Sequence, residues 1–168
     1  GDANMYAKME KYNLTGSIKD RAALKIIDTA IKENKINSDT TIIEATSGNM
    51  GISIACICKI KKLKCIIVMP NNMSNERIEL IKAYGAKVIL TDSFLGMNGA
   101  VEKAKELKLE INNSFVVSQF DNYNSVLCHY DTTAREIIKE LKNVDCVIAG
   151  IGTAGTITGI SKCLKKYN

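Results

Sequence analysis

The sequence contains no tryptophan, one proline and one histidine, and only 5% of its 168 residues are aromatic. A nucleic-acid surface needs aromatic side chains that stack on bases and a concentrated basic face. The net charge of +5 comes instead from lysines spread along the chain, for example at 61–64 and 103–108, and such a spread mainly favours solubility. We therefore expect no nucleic-acid partner.

The chain also lacks the features of a membrane or secreted protein. No apolar run reaches the roughly 18 residues that cross a bilayer, and no stretch has the pattern of a signal peptide. We expect no membrane partner and a cytoplasmic location.

No two cysteines have the C-x-x-C spacing typical of a zinc site, so we expect no bound metal. Their even number would allow disulfides, but each lies in an apolar helix or strand segment, which indicates buried thiols in a reducing compartment. These cysteines are Cys56, Cys58, Cys65, Cys128, Cys146 and Cys163. The single histidine, His129, has no evident nucleophile beside it in sequence, so we interpret it as a structural or surface residue.

Short β-branched runs alternate with segments of helical periodicity, which indicates an α/β fold with a largely parallel sheet. The predicted strands are 41–45, 65–69, 87–91, 115–118 and 146–149, and a strand at 4–9 opens the chain. The predicted helices are 17–33, 48–60, 74–84, 98–107, 124–141 and 156–166. Gly85 is placed as a C-terminal helix cap. Both ends are abrupt, so we expect the chain to be part of a longer protein.

The first motif with chemical potential is TGSIKDR at 15–21. Ser17 and Asp20 have the spacing of a capping box, which puts Lys19 in the first turn of a helix. The helix dipole disfavours a cation there, and partial desolvation would lower the pKa of the amine further, as a Schiff-base or general-base lysine requires. The alternative is an exposed lysine on a solvated helix.

The second motif, EATSGNMG at 44–51, runs from a strand into a loop and then an apolar helix. Free N–H groups at the helix start, together with the hydroxyls of Thr46 and Ser47, could bind a carboxylate or phosphate. An ordinary N-cap by Ser47 or Asn49 explains the pattern equally well.

The third motif, CVIAGIGTAGTITG at 146–159, combines a strand, a glycine-rich turn and a helix. The glycines and the hydroxyls of Thr153 and Thr156 suit a phosphate at the helix start. Gly150, Gly152 and Gly155 also match the dinucleotide fingerprint, which leaves nicotinamide binding open. A tight turn without a ligand is the third interpretation.

The whole series of motifs resembles the cysteine synthase family, the O-acetylserine sulfhydrylases, which are pyridoxal-phosphate enzymes of fold type II. The resemblance rests on NLTGSIKDR at 13–21, EATSGNMG at 44–51, MPNNMSNER at 69–77, GAKVILTD at 85–92, QFDN at 119–122 and AGIGTAGTITG at 149–159. They occur in the family's order and with nearly its spacing, over essentially the whole chain.

The resemblance implies a role for each matching residue. Lys19 would hold pyridoxal phosphate as an internal aldimine and then move the substrate α-proton, and Asn49 would hydrogen-bond the cofactor's 3′ oxygen. The residues implied around the phosphate are Gly152, Thr153, Ala154, Gly155 and Thr156. Those implied around the substrate α-carboxylate are Thr46, Ser47, Gly48, Met50 and Gln119.

The implied reaction is β-replacement on O-acetylserine or a related β-substituted alanine. Loss of acetate leaves an aminoacrylate, which sulfide attacks to give L-cysteine, while the cofactor serves as electron sink. The implied architecture has two three-layer αβα domains with mostly parallel sheets, of which the chain covers about the first half. Residues 13–122 would form the smaller domain, and 1–12 with 123–168 part of the larger, cofactor-binding one. A homodimer is also implied.

Two substitutions and the length depart from the family pattern. Met50 replaces a threonine, and the methionine form resembles β-cyanoalanine synthases. Ala154 replaces a glycine of the phosphate loop, where a methyl group is compatible with a negative φ. The alternatives are therefore a β-cyanoalanine synthase, a cysteine-consuming enzyme that releases hydrogen sulfide, a nicotinamide-binding protein and a non-catalytic fragment.

Overall fold

The computed structural model describes residues 3–167, which form a four-stranded sheet flanked by helices. The strands are β1 (Thr41–Ala45), β2 (Lys64–Pro70), β3 (Lys87–Thr91) and β4 (Ser114–Val116). The α-helices are α1 (Lys19–Lys32), α2 (Asn49–Lys61), α3 (Asn75–Ala83), α4 (Gly96–Glu110), α5 (Asn124–Cys128), α6 (Ala134–Glu140) and α7 (Gly155–Tyr167). Short 3-10 turns occupy Glu10–Tyr12 and Ser93–Leu95, and a π-helical turn occupies His129–Thr133.

All strand pairs are parallel, in the order β3-β2-β1-β4. Ala45 pairs with Val68 of β2, and Ile43 pairs with Val116 of β4. The carboxyl ends of β1 and β4 therefore lie side by side, and so do the loops that follow them, which is where ligands usually bind in parallel sheets.

Helices cover both faces of the sheet, which confirms the predicted three-layer α/β arrangement. Ile42 and Ile67 pack with α1, α2 and α3 on one face, whereas Ile43 and Val68 pack with α4 on the other. A separate small cluster joins α6 to α7 and is centred on Ala134, Ile160, Cys163 and Leu164.

The predicted cap at Gly85 is confirmed. Gly85 has a φ of 88°, and its N–H donates to the Lys82 carbonyl at 2.7 Å, while the Ala86 N–H donates to the Ile81 carbonyl at 3.3 Å. This bonding pattern ends α3 and needs a left-handed residue, which glycine adopts without a steric cost.

The predicted helix at 124–141 forms as α5, the π-helical turn and α6 in succession. The turn inserts an extra residue into the helical ladder. Past this turn, Glu136 accepts from the Arg21 guanidinium at 2.7 and 2.8 Å, and Glu10 accepts from the same guanidinium at 2.7 and 2.9 Å. Arg21 thus connects the first 3-10 turn, α1 and α6.

Two predicted strands do not form. Residues 3–9 and 146–149 are irregular, because no neighbouring strand within residues 3–167 accepts their backbone hydrogen bonds. The predicted burial of Cys146 is wrong for the same reason, since it lies in this unpaired segment and is exposed, as is Ile148 at 94%. The other five cysteines are buried, and all six are free thiols.

The described part of the chain has neither a membrane-spanning helix nor a cluster of metal ligands. No helix within it is both long and apolar enough to cross a bilayer. It also contains no group of three or more metal-ligating side chains that could hold an ion.

Candidate active site

Lys19 is the first residue of α1, and its side chain is half-buried. This desolvation lowers the pKa of the ammonium group, against a smaller opposing effect of the nearby Cys128 thiol. The positive end of the helix dipole also disfavours the charged form. The sequence prediction of a first-turn lysine with a lowered pKa is confirmed, and a neutral amine is what nucleophilic or general-base chemistry needs.

The predicted capping box is wrong, because Asp20 does not turn back to Ser17. Instead the Asp20 carboxylate accepts from the Thr15 N–H at 2.7 Å, from the Thr15 hydroxyl, and from the Ser53 hydroxyl at 2.5 Å. The Ser17 hydroxyl accepts a longer bond of 3.3 Å from the N–H of Lys19. Because Ser53 belongs to the second turn of α2, Asp20 fixes the start of α1 against the start of α2.

The loop between β1 and α2 presents polar groups at the carboxyl end of the sheet. Thr46 is buried, and its hydroxyl accepts from the Gly48 N–H at 3.2 Å. Ser47 and Gly48 are half-buried, and Asn49 is exposed as the first residue of α2. The Met50 side chain is 1% exposed and packs within the main core.

Arg77 of α3 holds this loop from outside. Its guanidinium donates to the Ser47 carbonyl at 2.9 Å, while its Nε is buried without a hydrogen-bond partner in the described part of the chain. From the other side, Gly51 allows a close approach, because a Cβ there would lie 3.0 Å from the Thr46 methyl group.

Gln119 lies at the neighbouring loop after β4 and is only 7% exposed. Its backbone N–H donates to the Glu44 carboxylate at 3.3 Å, and the Ser118 N–H donates to the same carboxylate at 2.8 Å. Glu44 is itself 2% exposed, and desolvation raises its pKa to about 7 against the opposing effect of these hydrogen bonds. The carboxylate thus joins the ends of β1 and β4.

The glycine-rich segment leads directly into α7, which begins at Gly155. Gly152 is exposed with open space around it, and Thr153 and Thr156 are half-buried. Ala154 has a φ of 59°, so the expectation of a negative φ is not met, and its methyl group sits in the left-handed region that favours glycine.

Close helix packing fixes the start of α7. A Cβ on Gly155 would lie 2.9 Å from the Ser125 carbonyl oxygen, and one on Gly159 would collide with the Val126 carbonyl oxygen. Both glycines are therefore needed where α7 crosses α5.

His129 connects the glycine-rich segment to the rest of the site. It is 4% exposed, its Nδ1 lies 2.8 Å from the Thr133 hydroxyl, and its Nε2 lies 3.3 Å from the Thr156 hydroxyl. Desolvation lowers its pKa to about 4, with smaller contributions from the charges of Arg21 and Lys19. The buried ring therefore joins the π-helical turn to the start of α7. Of the two interpretations of His129, the structural one is confirmed and the surface one is wrong.

Sequence reasoning assigned no role to Glu44, Ser53 or Arg77. A carboxylate inside the apolar strand TIIEA was a usable signal for Glu44, because charged residues are rarely buried without a partner. Ser53 and Arg77 gave no local signal, since their partners lie 33 and 30 residues away.

A half-buried amine of lowered pKa at one helix start, fixed against the start of a second helix, has the arrangement of a nucleophilic enzyme lysine. The chain belongs to the pyridoxal-phosphate dependent enzyme family, whose model matches residues 1–168. This membership confirms the predicted cofactor and fold type and decides against the nicotinamide interpretation.

The chain is similar to known members over nearly its whole length. It is 51% identical over 164 residues to cysteine synthase B of Campylobacter jejuni. The aligned region covers 97% of this chain and 55% of that protein. A hydrogen sulfide-producing enzyme from Fusobacterium nucleatum matches with a TM-score of 0.91 and 52% identity, covering 95% of this chain and 53% of the other. An O-acetylserine dependent cystathionine β-synthase from Helicobacter pylori matches with a TM-score of 0.90 and 42% identity. This match covers 96% of this chain and 53% of the other. The chain thus spans about half the length of its relatives.

Proposed function

We propose that the protein containing this chain performs β-replacement on O-acetylserine, or a related β-substituted alanine, with sulfide to form L-cysteine. The observation that carries this proposal is the half-buried Lys19 amine, whose pKa is lowered by burial. The bond between the neighbouring Asp20 and Ser53 also fixes the start of its helix against α2. The similarity to cysteine synthase B and to an O-acetylserine dependent cystathionine β-synthase supports an amino-acid substrate.

The residues present fit pyridoxal phosphate. Lys19 offers an amine for the aldehyde, and the start of α7 offers N–H groups and hydroxyls for the phosphate. We propose that Gly152, Thr153, Ala154, Gly155 and Thr156 hold the phosphate, and that Asn49 donates to the 3′ oxygen. When bound, the cofactor supplies the electron sink for chemistry at the substrate α-carbon.

The chain's own groups would then bind and orient the amino acid. Its carboxylate would meet the start of α2, where Thr46, Ser47, Gly48 and the Met50 backbone lie, with Gln119 on the neighbouring loop. Lys19 would accept the α-proton, a role that a neutral amine can perform. Asp20 would hold this amine at a fixed distance from the carboxylate site, because it bonds to Ser53 of α2.

Residues 13–122 form the smaller domain in this proposal, and 1–12 with 123–168 form part of the larger one. The separate core of α6 and α7 supports this division, as does the unpaired segment 146–149. We further propose a cytoplasmic homodimer.

A second candidate is the consumption of cysteine with release of hydrogen sulfide. The 52% identity to a hydrogen sulfide-producing enzyme favours it. Use of cyanide to form β-cyanoalanine belongs to the same chemical class, and the methionine at position 50 supports that option.

The test is a comparison of substrates on the intact protein loaded with pyridoxal phosphate. O-acetylserine with sulfide is expected to yield cysteine faster than cysteine alone yields sulfide. The opposite ranking would establish the second candidate. Failure of the protein to retain the cofactor, measured by its visible absorbance after gel filtration, would contradict both.

A further inference from the structure

Glu44 is a carboxylate within the hydrophobic core, and the proposed reaction does not use it. It lies between Ile43 and Ala45 in a strand whose five residues are all buried. Burying a carboxylate costs several kcal/mol unless hydrogen bonds compensate it, so such a residue usually has a specific task.

The contacts of Glu44 are all directed to one loop. Each of its oxygens accepts from a backbone N–H, one from Ser118 at 2.8 Å and the other from Gln119 at 3.3 Å. The Gln119 side chain also lies near enough to favour the charged form of the carboxylate. Ser118 has a φ of 52°, a conformation that L-residues adopt at a cost. The carboxylate therefore stabilises a strained backbone at the residue before Gln119.

The loop has further anchors that hold its outer part. The Asn122 side chain donates to the Val117 carbonyl at 3.2 Å, and the Asn122 N–H donates to the Ser118 carbonyl at 3.0 Å. Ser125 donates to the Gln119 carbonyl at 3.1 Å. These neutral contacts close the turn. The Val117 N–H ties the start of the loop to the Ile43 carbonyl of β1 at 3.0 Å, and Glu44 is the side chain that ties Ser118 and Gln119 to β1.

Glu44 stands two residues before Thr46, where the loop into α2 begins. One buried side chain thus connects the Gln119 loop to the strand that leads into the Thr46 loop. Both loops approach the same substrate group in the proposed function. The two N–H donors favour the charged form of the carboxylate. Hydrogen bonds to a charged group are stronger than neutral ones and hold a loop in one geometry.

We propose that Glu44 is a positioning residue, which fixes Gln119 against the β1–α2 loop so that the two loops together bind the α-carboxylate of the amino-acid substrate. This inference rests on the proposed function. It predicts that changing Glu44 weakens amino-acid binding more than it slows turnover.

The experiment compares wild type, Glu44→Gln and Thr40→Val in the intact protein loaded with pyridoxal phosphate. Glutamine keeps the size of the side chain but turns an NH2 group toward one of the two N–H donors. Thr40 is a matched control, because it is 1% exposed and its hydroxyl donates at 2.8 Å to Asn113, at the opposite end of the same strand pair. The measurements are calorimetric Kd for L-alanine, which has the α-carboxylate but no leaving group, and KM and kcat for O-acetylserine.

Glu44→Gln is expected to raise the Kd for L-alanine and the KM by roughly tenfold or more, with a smaller change in kcat. Thr40→Val is expected to lower the unfolding temperature without changing either constant. A Glu44→Gln protein that binds L-alanine as tightly as Thr40→Val would overturn the proposal. If Glu44→Gln does not fold, Glu44→Asp is measured instead, because aspartate keeps the charge but has a shorter side chain. A Kd for L-alanine in Glu44→Asp equal to that of wild type would then overturn the proposal.

Hydrogen exchange separates this inference from the proposed function. The Gln119 N–H is expected to exchange faster in Glu44→Gln than in wild type, and an equal rate would count against Glu44. A wild-type protein that lacks cofactor binding and turnover would instead contradict the proposed function.

Discussion

The Ser53 hydroxyl donates a 2.5 Å hydrogen bond to the Asp20 carboxylate and thereby joins α2 to the residue that follows Lys19. Ser53 is completely buried. The position of the reactive amine relative to the carboxylate loop thus depends on a side-chain contact between residues that are distant in sequence.

Replacement of Ser53 by alanine is expected to lower the free energy of unfolding by about 1–2 kcal/mol, because Asp20 loses one donor but keeps those of Thr15. Denaturant unfolding of the intact protein measures this. Ser161→Ala is the control, since it makes the same change in a helix at a half-buried position. Equal stability of the two variants would show that the Ser53 bond contributes little.

Lys19→Ala is expected to abolish turnover in the intact protein and to remove the visible absorbance of the covalently held cofactor, because alanine has no amine. Lys32→Ala, at the exposed end of the same helix, is expected to behave as wild type. Spectra and cysteine formation are the measurements. Wild-type cysteine formation by Lys19→Ala would remove the central assignment.

Thr153→Val is expected to weaken cofactor binding by about 1–3 kcal/mol, the range for a hydrogen bond to a charged group. Equilibrium dialysis measures the affinity. Thr158→Val is the control, because Thr158 lies outside the proposed phosphate-binding residues and its backbone N–H already donates to the Ala154 carbonyl at 3.1 Å. If both variants hold the cofactor equally well, the phosphate lies elsewhere.

Ala154→Gly is expected to stabilise the protein. A left-handed residue with a Cβ costs about 1–2 kcal/mol, whereas the added freedom of glycine in the unfolded chain costs about 0.5–1 kcal/mol. Thermal unfolding should therefore show a small rise in stability. Ala104→Gly, within α4, is expected to lower stability by about 1 kcal/mol, and a similar loss at position 154 would contradict the left-handed conformation.

The buried His129 is expected to make the protein sensitive to acid. Its pKa is about 4 in the folded state, below the ordinary value of 6.5, so the unfolded chain binds a proton first as the pH falls. The stability that the neutral imidazole contributes is complete above pH 6.5 and declines between pH 6.5 and about pH 4. The measurement is the unfolding free energy of wild type minus that of His129→Gln. This difference should decrease across that window, and a constant difference would mean that His129 does not titrate there.

Much of the fold could be predicted because β1, β3 and the helices have local signals, such as β-branched runs and the cap at Gly85. The segment 146–149 has the same kind of signal but forms no strand, since a strand needs a neighbour and no local pattern supplies one. The exposure of Cys146 has the same cause, because this residue lies in the unpaired segment.

The site shows a similar limit. The position of Lys19 follows from its place in a helix start, which depends on neighbouring residues. The partners of Asp20 could not be predicted, because Ser17 had the spacing of a capping box, Thr15 competes with it locally, and Ser53 becomes a neighbour only through tertiary packing. The φ of Ala154 likewise depends on how α7 meets α5.

The π-helical turn at His129–Thr133 sets which way α6 faces. Deleting one residue from this turn would rotate everything after it by about 100° around the helix axis. Glu136 would then leave the Arg21 guanidinium and could no longer hold the first helix. The length of this turn therefore fixes the contact between Glu136 and Arg21 as much as the identity of either residue does.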